Sequence, residues 1–481
     1  MRDLLDDPSR PADAFPPEEE LSGFDNDATV LTLSERLVER QFAAAAEIAL
    51  RATAAPEQRL GCQPAASGDD PCVRGFIESF GARAFRRPLA GGEAERFYAL
   101  YDKTRALGSP VHGVRAVIEA VLLAPQFLYR LERTTPDVAA PEGMVSLDAY
   151  SLASRLSYFI WGSLPDTELF QAAQEGRLRT AADVAAQARR MLEDARAREV
   201  IRRFHRFWFG LTQAVEKDTS VFPEYTPELA ASMREETERF VEEVVLGLDG
   251  GWSTLVAAPF SFVDDKLAAF YGIAGVGGPD FRRVELDGRR RAGFLTQASM
   301  MSRYAQRHRS EPITRGLFVR KNVFCQTPPD PPEGAQTSVM VPPGLGTREH
   351  LAAHAADPAC RACHELFDPI GLSLENLDGI GRWRDSEDGR PIDASGTLVG
   401  TDVDGPFVGP VELSGKLASS AQAQSCLMGR WFLYGHGRPP TDEDRCTLAD
   451  LEASFRATGS IRELIVALTQ TDAFLRRKGG E

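Results

Sequence analysis

The sequence predicts a mainly α-helical protein of several domains, with a small β-hairpin region in its C-terminal third. Its 481 residues exceed the usual length of one domain, and 43% hydrophobic with 26% charged residues are typical of chains that bury ordinary cores. Apolar side chains recur at helical spacing in long segments, for example from Val200 to Leu211. Between Arg390 and Val411 they alternate with turn residues instead, which predicts the hairpin.

The first part of the chain is predicted to form several short helical segments. A short helix and a loop precede a longer helix over about 34–52, in which apolar side chains repeat at helical spacing. Residues 73–132 predict two helices with a break at Arg87-Pro88, because proline disfavours a helical conformation in the residue before it. The stretch 134–143, rich in proline and alanine, marks a domain boundary.

The middle of the chain is predicted to be strongly helical from residue 146 to about residue 271. Within it, Thr226 offers a capping hydroxyl and Pro227 suits the first helical position. A helix is therefore expected to begin there. Residues 275–291 are rich in glycine and predict short extended pieces.

The C-terminal third begins with a proline-rich connector over 326–346, which is expected to be extended. A short helix is predicted from Thr347, and further helices are predicted over 416–434 and 460–475. The last of these begins with a capping-box pattern, Ser460 to Glu463.

The residues Cys360 to His364 form the pattern Cys-x-x-Cys-His, which is typical of c-type haem attachment. Two thiols three residues apart fall on one side of a helical turn, where they can form thioethers with the two vinyl groups of haem. The histidine that follows can offer a ring nitrogen to the iron. Because the chain holds only seven cysteines and seven histidines, a chance match is improbable. The pattern predicts covalent haem c, tethered by Cys360 and Cys363, with His364 as the proximal iron ligand.

Two alternatives use the same residues without haem. Cys360, Cys363, His364 and His354 could supply four zinc ligands of suitable type. The two cysteines could also form a plain disulfide or remain free thiols. In either case the protein would be a haem-free binding or structural protein of the cell envelope.

A second axial ligand would decide the chemistry of a haem, and the sequence offers three candidates, Met340, Met428 and His354. Methionine ligation suits electron transfer, whereas a vacant position suits oxidative chemistry. The sequence does not choose between these possibilities.

Arg382 and Arg384 follow the motif closely and could bind the haem propionates through bidentate contacts. The alternative is an ordinary ion pair with Asp368, Glu375 or Asp378.

The other cysteines favour an oxidising compartment. Cys62 and Cys72 close a short loop, and Cys426 and Cys446 flank a short segment, so two disulfides are predicted and Cys325 is left unassigned. Disulfides and covalent haem both belong outside the bacterial cytoplasm. The alternative is that all seven cysteines are reduced thiols in a cytosolic protein.

Charge and hydropathy exclude some classes of protein. A formal net charge of −15 argues against a nucleic-acid partner, because phosphate binding needs a basic face. No run of eighteen apolar residues exists, so no transmembrane segment is predicted. The acidic start from Met1 to Asp7 is not a signal peptide, so either the protein is cytoplasmic or Met1 is not its true start.

Several longer segments resemble one family of exported bacterial proteins, common in planctomycete-type genomes. These proteins are built from tandem domains of unknown function (1587, 1595, 1592, 1588 and 1585) and are often associated with c-type cytochrome modules. The similar segments are Phe85–Leu89, Leu123–Arg130, Ser154–Trp161, Cys360–Arg384 and Tyr434–Arg438.

The resemblance implies an exported protein of the periplasm or outer cell envelope, whose first domain is truncated at its start. The family has no settled activity, so a redox role is expected from the motif alone: electron transfer or haem-based oxidative chemistry, with an unidentified protein or small-molecule partner. Whether the protein is an enzyme is left open. The implied division is a remnant first domain (1–55), a small helical domain (56–133), a main helical domain (144–300), a domain with the Cys-x-x-Cys-His motif (301–410) and a C-terminal helical domain (411–481).

Overall fold

The computed structural model describes residues 1–17, 23–27, 30–65, 67–136, 140–141, 143–213, 215–329, 346–356 and 358–479. Over these residues the protein is mainly α-helical, with small antiparallel sheets of two or three strands. The predicted fold class is confirmed, including the hairpin in the C-terminal third, where residues 395–398 pair with 405–408.

The N-terminal helices begin and end at residues suited to those positions. The predicted helix over 34–52 starts where expected, because the Ser34 side chain accepts a hydrogen bond from a backbone N–H one turn later. The predicted break is present, since Arg86 ends its helix in the left-handed conformation. Beyond it lie two longer helices rather than one, because Ser109 caps a new start. The helices are α1 (Arg2–Leu5), α2 (Glu35–Ala52), α3 (Pro56–Leu60), α4 (Pro71–Phe85), α5 (Glu93–Leu107), α6 (Pro110–Leu122) and α7 (Pro125–Leu128), with a 3-10 turn at Pro11–Ala14.

The middle of the chain is helical as expected. One helix begins at Pro227 behind the capping side chain of Thr226, as predicted, and a π-helical turn, Glu243–Gly247, continues it. The glycine-rich stretch 275–291 contributes one strand. The elements are β1 (Thr134–Thr135), β2 (Met144–Leu147), α8 (Ala149–Trp161), α9 (Thr167–Gln174), α10 (Ala181–Leu192), α11 (Ala197–Trp208), α12 (Pro227–Glu242), α13 (Trp252–Ala257), β3 (Phe260–Val263), α14 (Asp265–Tyr271) and β4 (Arg282–Glu285).

The C-terminal part alternates helices with short hairpins. The elements are α15 (Ala298–Arg303), α16 (Pro312–Phe318), α17 (Thr347–His354), α18 (Pro358–Leu372), β5 (Ser386–Glu387), β6 (Arg390–Pro391), β7 (Ser395–Leu398), β8 (Gly405–Val408), α19 (Gly409–Ser419), α20 (Ala421–His436), α21 (Arg445–Thr458), α22 (Ile461–Leu468), α23 (Asp472–Leu475) and β9 (Arg476–Lys478). Further turns are 3-10 at Phe294–Thr296 and Asp442–Asp444 and π-helical at Val319–Val323.

The strands pair mostly with their neighbours in sequence, with one exception. β3 pairs with β4, β5 with β6 and β7 with β8, all antiparallel. The exception is β9, which returns from the end of the chain to pair with β2 (Met144 opposite Lys478), so that β1, β2 and β9 form one sheet. This sheet joins the beginning of the main helical segment to the C-terminal segment.

Among the described residues, three hydrophobic cores hold the helices together. One lies among the N-terminal helices and includes Phe80, Tyr101 and Val117. A small one surrounds α14. The largest takes its side chains from residues 147 to 474 together with Phe24, and Phe204 stacks on Trp431 at its centre with ring centroids 3.7 Å apart. The main helical segment, the motif-bearing segment and the C-terminal segment therefore share one core.

Two disulfides are formed, and one of them corrects a sequence prediction. Cys62 pairs with Cys72 as predicted. Cys426 pairs with Cys325, not with Cys446, which is exposed and free. The reason is orientation: Cys426 lies on the buried side of α20, which packs against the π-helical turn just before Cys325, and the two Cα atoms are 5.5 Å apart. That separation is within the range a disulfide spans.

None of the helices in the described part of the chain is long and apolar enough to cross a membrane.

Candidate functional site

The Cys-x-x-Cys-His motif lies in the first two turns of α18. Pro358 starts this helix, which suits proline because the first helical N–H has no partner within the helix. Cys360 and Cys363, one turn apart, lie on the same side of the helix. Both thiols are partly buried and free, so the alternative of a disulfide between them is not what the structure contains. The two sulfurs are available for thioether formation.

His364 is held by a carboxylate from the next turn of the same helix. Its Nδ1 lies 2.9 Å from Oδ2 of Asp368, and both side chains are largely buried, with 13% and 9% of their surfaces exposed. Metal-binding histidines commonly donate their second ring N–H to a carboxylate. When Nδ1 donates to Asp368, Nε2 is left as the nitrogen that can bind a metal.

The carboxyl group of Asp368 has a perturbed acidity. Burial raises its pKa to about 6, although His364 acts in the opposite direction. Sequence reasoning treated Asp368 only as a possible partner of Arg382 or Arg384. The signal that could have identified it is the spacing of four residues between His364 and Asp368, which places their side chains together on a helix.

Of the candidate second ligands within the described residues, His354 is the one that lies beside His364. The two rings meet edge to face with centroids 4.7 Å apart, because α17 packs against α18. Rings in direct contact leave no space between them for a porphyrin plane. To bind the iron from the opposite face, His354 would have to move away from His364.

The other candidate second ligands are placed differently. Met428 is buried in α20, within the largest core. Met340 lies outside the described residues.

The zinc alternative needs several ligands around one point. In the part of the chain that the structure describes, no group of three or more histidine, cysteine, aspartate or glutamate side chains has an arrangement suited to a metal ion. Cys360, Cys363, His364 and His354 therefore do not form a four-ligand cluster in this arrangement.

The two arginines after the motif make ion pairs within the protein. Arg384 contacts Glu375 through an Nη2–Oε2 distance of 2.8 Å and Glu387 at 3.3 Å. Arg382 pairs with Glu224 and is about half exposed. Arg384 thus forms the ion pair with Glu375 that was considered above as the alternative to a propionate contact. The partner of Arg382, in contrast, comes from a distant segment that the sequence did not indicate.

A buried arginine from α16 supports the loop after α18. Arg315 has no exposed side-chain surface and donates hydrogen bonds to the carbonyls of Leu377 (2.7 Å) and Asp378 (2.6 Å). It also lies 3.2 Å from Oε1 of Glu375. No sign of this role is visible in the sequence, because it depends on carbonyls about sixty positions away.

A second buried arginine reaches α18 itself. Arg320 donates to the carbonyl of Leu366 (2.7 Å) on α18 and to that of Val399 (2.8 Å) after β7. The motif-bearing helix is thus fixed to its neighbours through its backbone. The helix provides a rigid base for His364.

Five family models match the chain in tandem. All are described as proteins of unknown function: DUF1587 over residues 1–54, DUF1595 over 72–132, DUF1592 over 147–273, DUF1588 over 291–387 and DUF1585 over 404–474. No curated protein and no solved structure matches the chain.

These matches define the class of the protein. It is a mainly helical, multi-domain protein whose DUF1588 segment carries a Cys-x-x-Cys-His helix. The chain belongs to the family of proteins that combine the five domains DUF1587, DUF1595, DUF1592, DUF1588 and DUF1585, as its sequence motifs predicted. The name of the DUF1588 model, PSCyt3, associates that domain with cytochromes.

Proposed function

We propose that this protein is an exported redox protein with one covalently bound c-type haem, tethered by Cys360 and Cys363 and ligated by His364. The observation that carries the proposal is the arrangement on α18. Two unpaired thiols lie one turn apart, and Nδ1 of the adjacent imidazole contacts Asp368, which leaves Nε2 as the nitrogen that could bind a metal. The association of the matched domain with cytochromes supports the same assignment.

The donor set fits the group. A bound c-type haem supplies a one-electron iron couple whose potential the protein sets through the axial ligand and its surroundings. In this protein the two thiols would hold the group and His364 would bind the metal, with Asp368 orienting His364. The buried contacts of Arg315 and Arg320 hold the backbone of this region in place.

The disulfides and the proposed covalent haem also indicate that the protein is exported. The disulfides Cys62–Cys72 and Cys325–Cys426 and covalent haem all belong to an oxidising compartment. We therefore place the protein in the periplasm or outer cell envelope. The haem-free alternative has less support, because Cys360 and Cys363 are unpaired and the described residues do not form a zinc cluster.

The test is mass spectrometry under denaturing conditions, on protein exported from a bacterial host that carries the c-type maturation machinery. Wild-type protein is expected to retain the added mass of one haem, and a Cys360→Ser/Cys363→Ser variant is expected to lose it. Cys446→Ser is the matched control, because it removes a free cysteine outside the motif and is expected to keep the haem. A colourless wild-type protein without added mass would contradict the proposal, and stoichiometric zinc in that preparation would establish the alternative.

A further inference from the structure

Asp368 has a single described hydrogen-bond partner. Its Oδ2 contacts Nδ1 of His364, while its Oδ1 is buried and has no hydrogen-bond partner among the described residues. The flanking side chains of Phe367 and Ile370 are 5% and 0% exposed, so little water reaches this region. The carboxylate therefore acts on His364 in surroundings that screen its charge poorly.

The geometry of this pair is set by the helix. His364 and Asp368 are four residues apart on α18, so regular helical geometry brings them together without a contribution from a mobile loop. Phe367 also contacts the imidazole, with ring centroids 4.9 Å apart, and restricts its rotation. The orientation of His364 is thus determined locally.

A carboxylate at Nδ1 changes the donor strength of the imidazole. A hydrogen bond from Nδ1–H to a charged acceptor is stronger than one to a neutral acceptor, and it increases the basicity of the other ring nitrogen. A more basic Nε2 donates more electron density to a bound metal and stabilises its oxidised state.

We propose that Asp368 is a positioning residue that directs Nε2 of His364 toward the haem iron and makes the iron harder to reduce. This inference rests on the proposed function. It goes further by assigning to one carboxylate the control of the reduction potential. On this basis Asp368 favours a low-potential haem.

The experiment is a spectroelectrochemical titration of the purified, haem-bearing protein. Asp368→Asn keeps the size of the side chain and removes its charge, so its midpoint potential is expected to be more positive than that of the wild type. Asp368→Ala also removes the acceptor and is expected to shift the potential in the same direction, which keeps the test valid if only one variant folds. Glu365→Gln is the matched control, because it removes one negative charge from an exposed position on the same helix.

The outcomes separate this inference from the proposed function. A larger positive shift for the Asp368 variants than for Glu365→Gln supports the inference. If haem is bound but the Asp368 variants shift no more than the control, the inference is wrong and the proposed function stands. If the wild-type protein carries no haem, both are wrong.

Discussion

Glu236 is a carboxyl group that is fully buried in the middle of α12. It accepts hydrogen bonds from the hydroxyls of Ser261 (2.6 Å) and Tyr271 (2.7 Å). Burial raises its pKa to about 7, and neighbouring Asp264 acts in the same direction, whereas the two hydroxyl bonds and Arg291 oppose the shift. At neutral pH this group is therefore close to its midpoint of ionisation.

This raised pKa gives Glu236 a contribution of its own to the pH dependence of stability. Between about pH 4.5 and 7 an unfolded Glu236 loses its proton while the folded protein keeps it, so the unfolded state binds fewer protons. The contribution of Glu236 to the free energy of unfolding is therefore expected to fall as the pH rises through this window, by up to about 3 kcal/mol. Relative to the wild type, Glu236→Gln should gain stability with rising pH, as measured by urea unfolding of both proteins at a series of pH values.

Glu228→Gln provides the comparison for this prediction, since Glu228 is exposed at the start of the same helix. Its profile between pH 4.5 and 7 should match that of the wild type. An equally steep profile in Glu236→Gln would mean that another group controls the pH dependence.

The motif-bearing helix depends on a close crossing with α16. A Cβ atom added at Gly371 of α18 would lie 1.8 Å from the carbonyl oxygen of Pro312, and one added at Gly316 of α16 would lie 2.0 Å from that of Phe367. Such distances are impossible for non-bonded atoms, so each helix needs glycine where the other one crosses it. The crossing places the buried side chain of Arg315 against the loop after α18.

Gly371→Ala is expected to destabilise the protein, because the methyl group would collide with backbone that has no freedom to move aside. The loss in free energy of unfolding caused by the collision should exceed the gain of about 1 kcal/mol that replacing glycine by alanine brings at an unobstructed helical position. Thermal unfolding checks this, with Gly429→Ala on α20 as the control, since a Cβ there would have no neighbour within 4 Å. Equal or increased stability of Gly371→Ala would show that the helices do not cross this closely.

At the scale of the whole molecule, a disulfide and a sheet tie the end of the chain to earlier segments. Cys325 and Cys426 are 101 residues apart in sequence and join the motif-bearing segment to the C-terminal helices. β9 pairs with β2 across more than 300 residues. The largest core takes its side chains from the same segments that the disulfide and the sheet join. The DUF1592, DUF1588 and DUF1585 domains are therefore expected to unfold together.

Removal of the Cys325–Cys426 disulfide should lower stability more than removal of Cys62–Cys72, whose cysteines are only 10 residues apart. The entropy of loop closure predicts a difference of about 2 kcal/mol between the two double Cys→Ser variants. Denaturant unfolding measures it, and Cys446→Ser should leave stability unchanged because that thiol is free and exposed. A larger loss of stability on removal of Cys62–Cys72 than on removal of Cys325–Cys426 would contradict the explanation by loop-closure entropy.

Local features were predictable, and long-range pairings were not. The helix starts at Ser34 and Thr226 and the spacing of the Cys-x-x-Cys-His motif depend on residues within one helical turn of each other. The partner of Cys426 was predicted wrongly because spacing in sequence favoured Cys446, whereas the packing of α20 turns Cys426 toward Cys325.

By itself, the sequence determined the mainly helical fold class, the family and the position of the candidate haem motif, since each depends on short-range patterns of side chains. The tertiary structure alone decided the contact of His354 with His364, the Glu224 partner of Arg382 and the burial of Arg315 and Arg320. These contacts join residues between 10 and 158 positions apart on different helices and loops, and only the packing of those elements against one another brings them together.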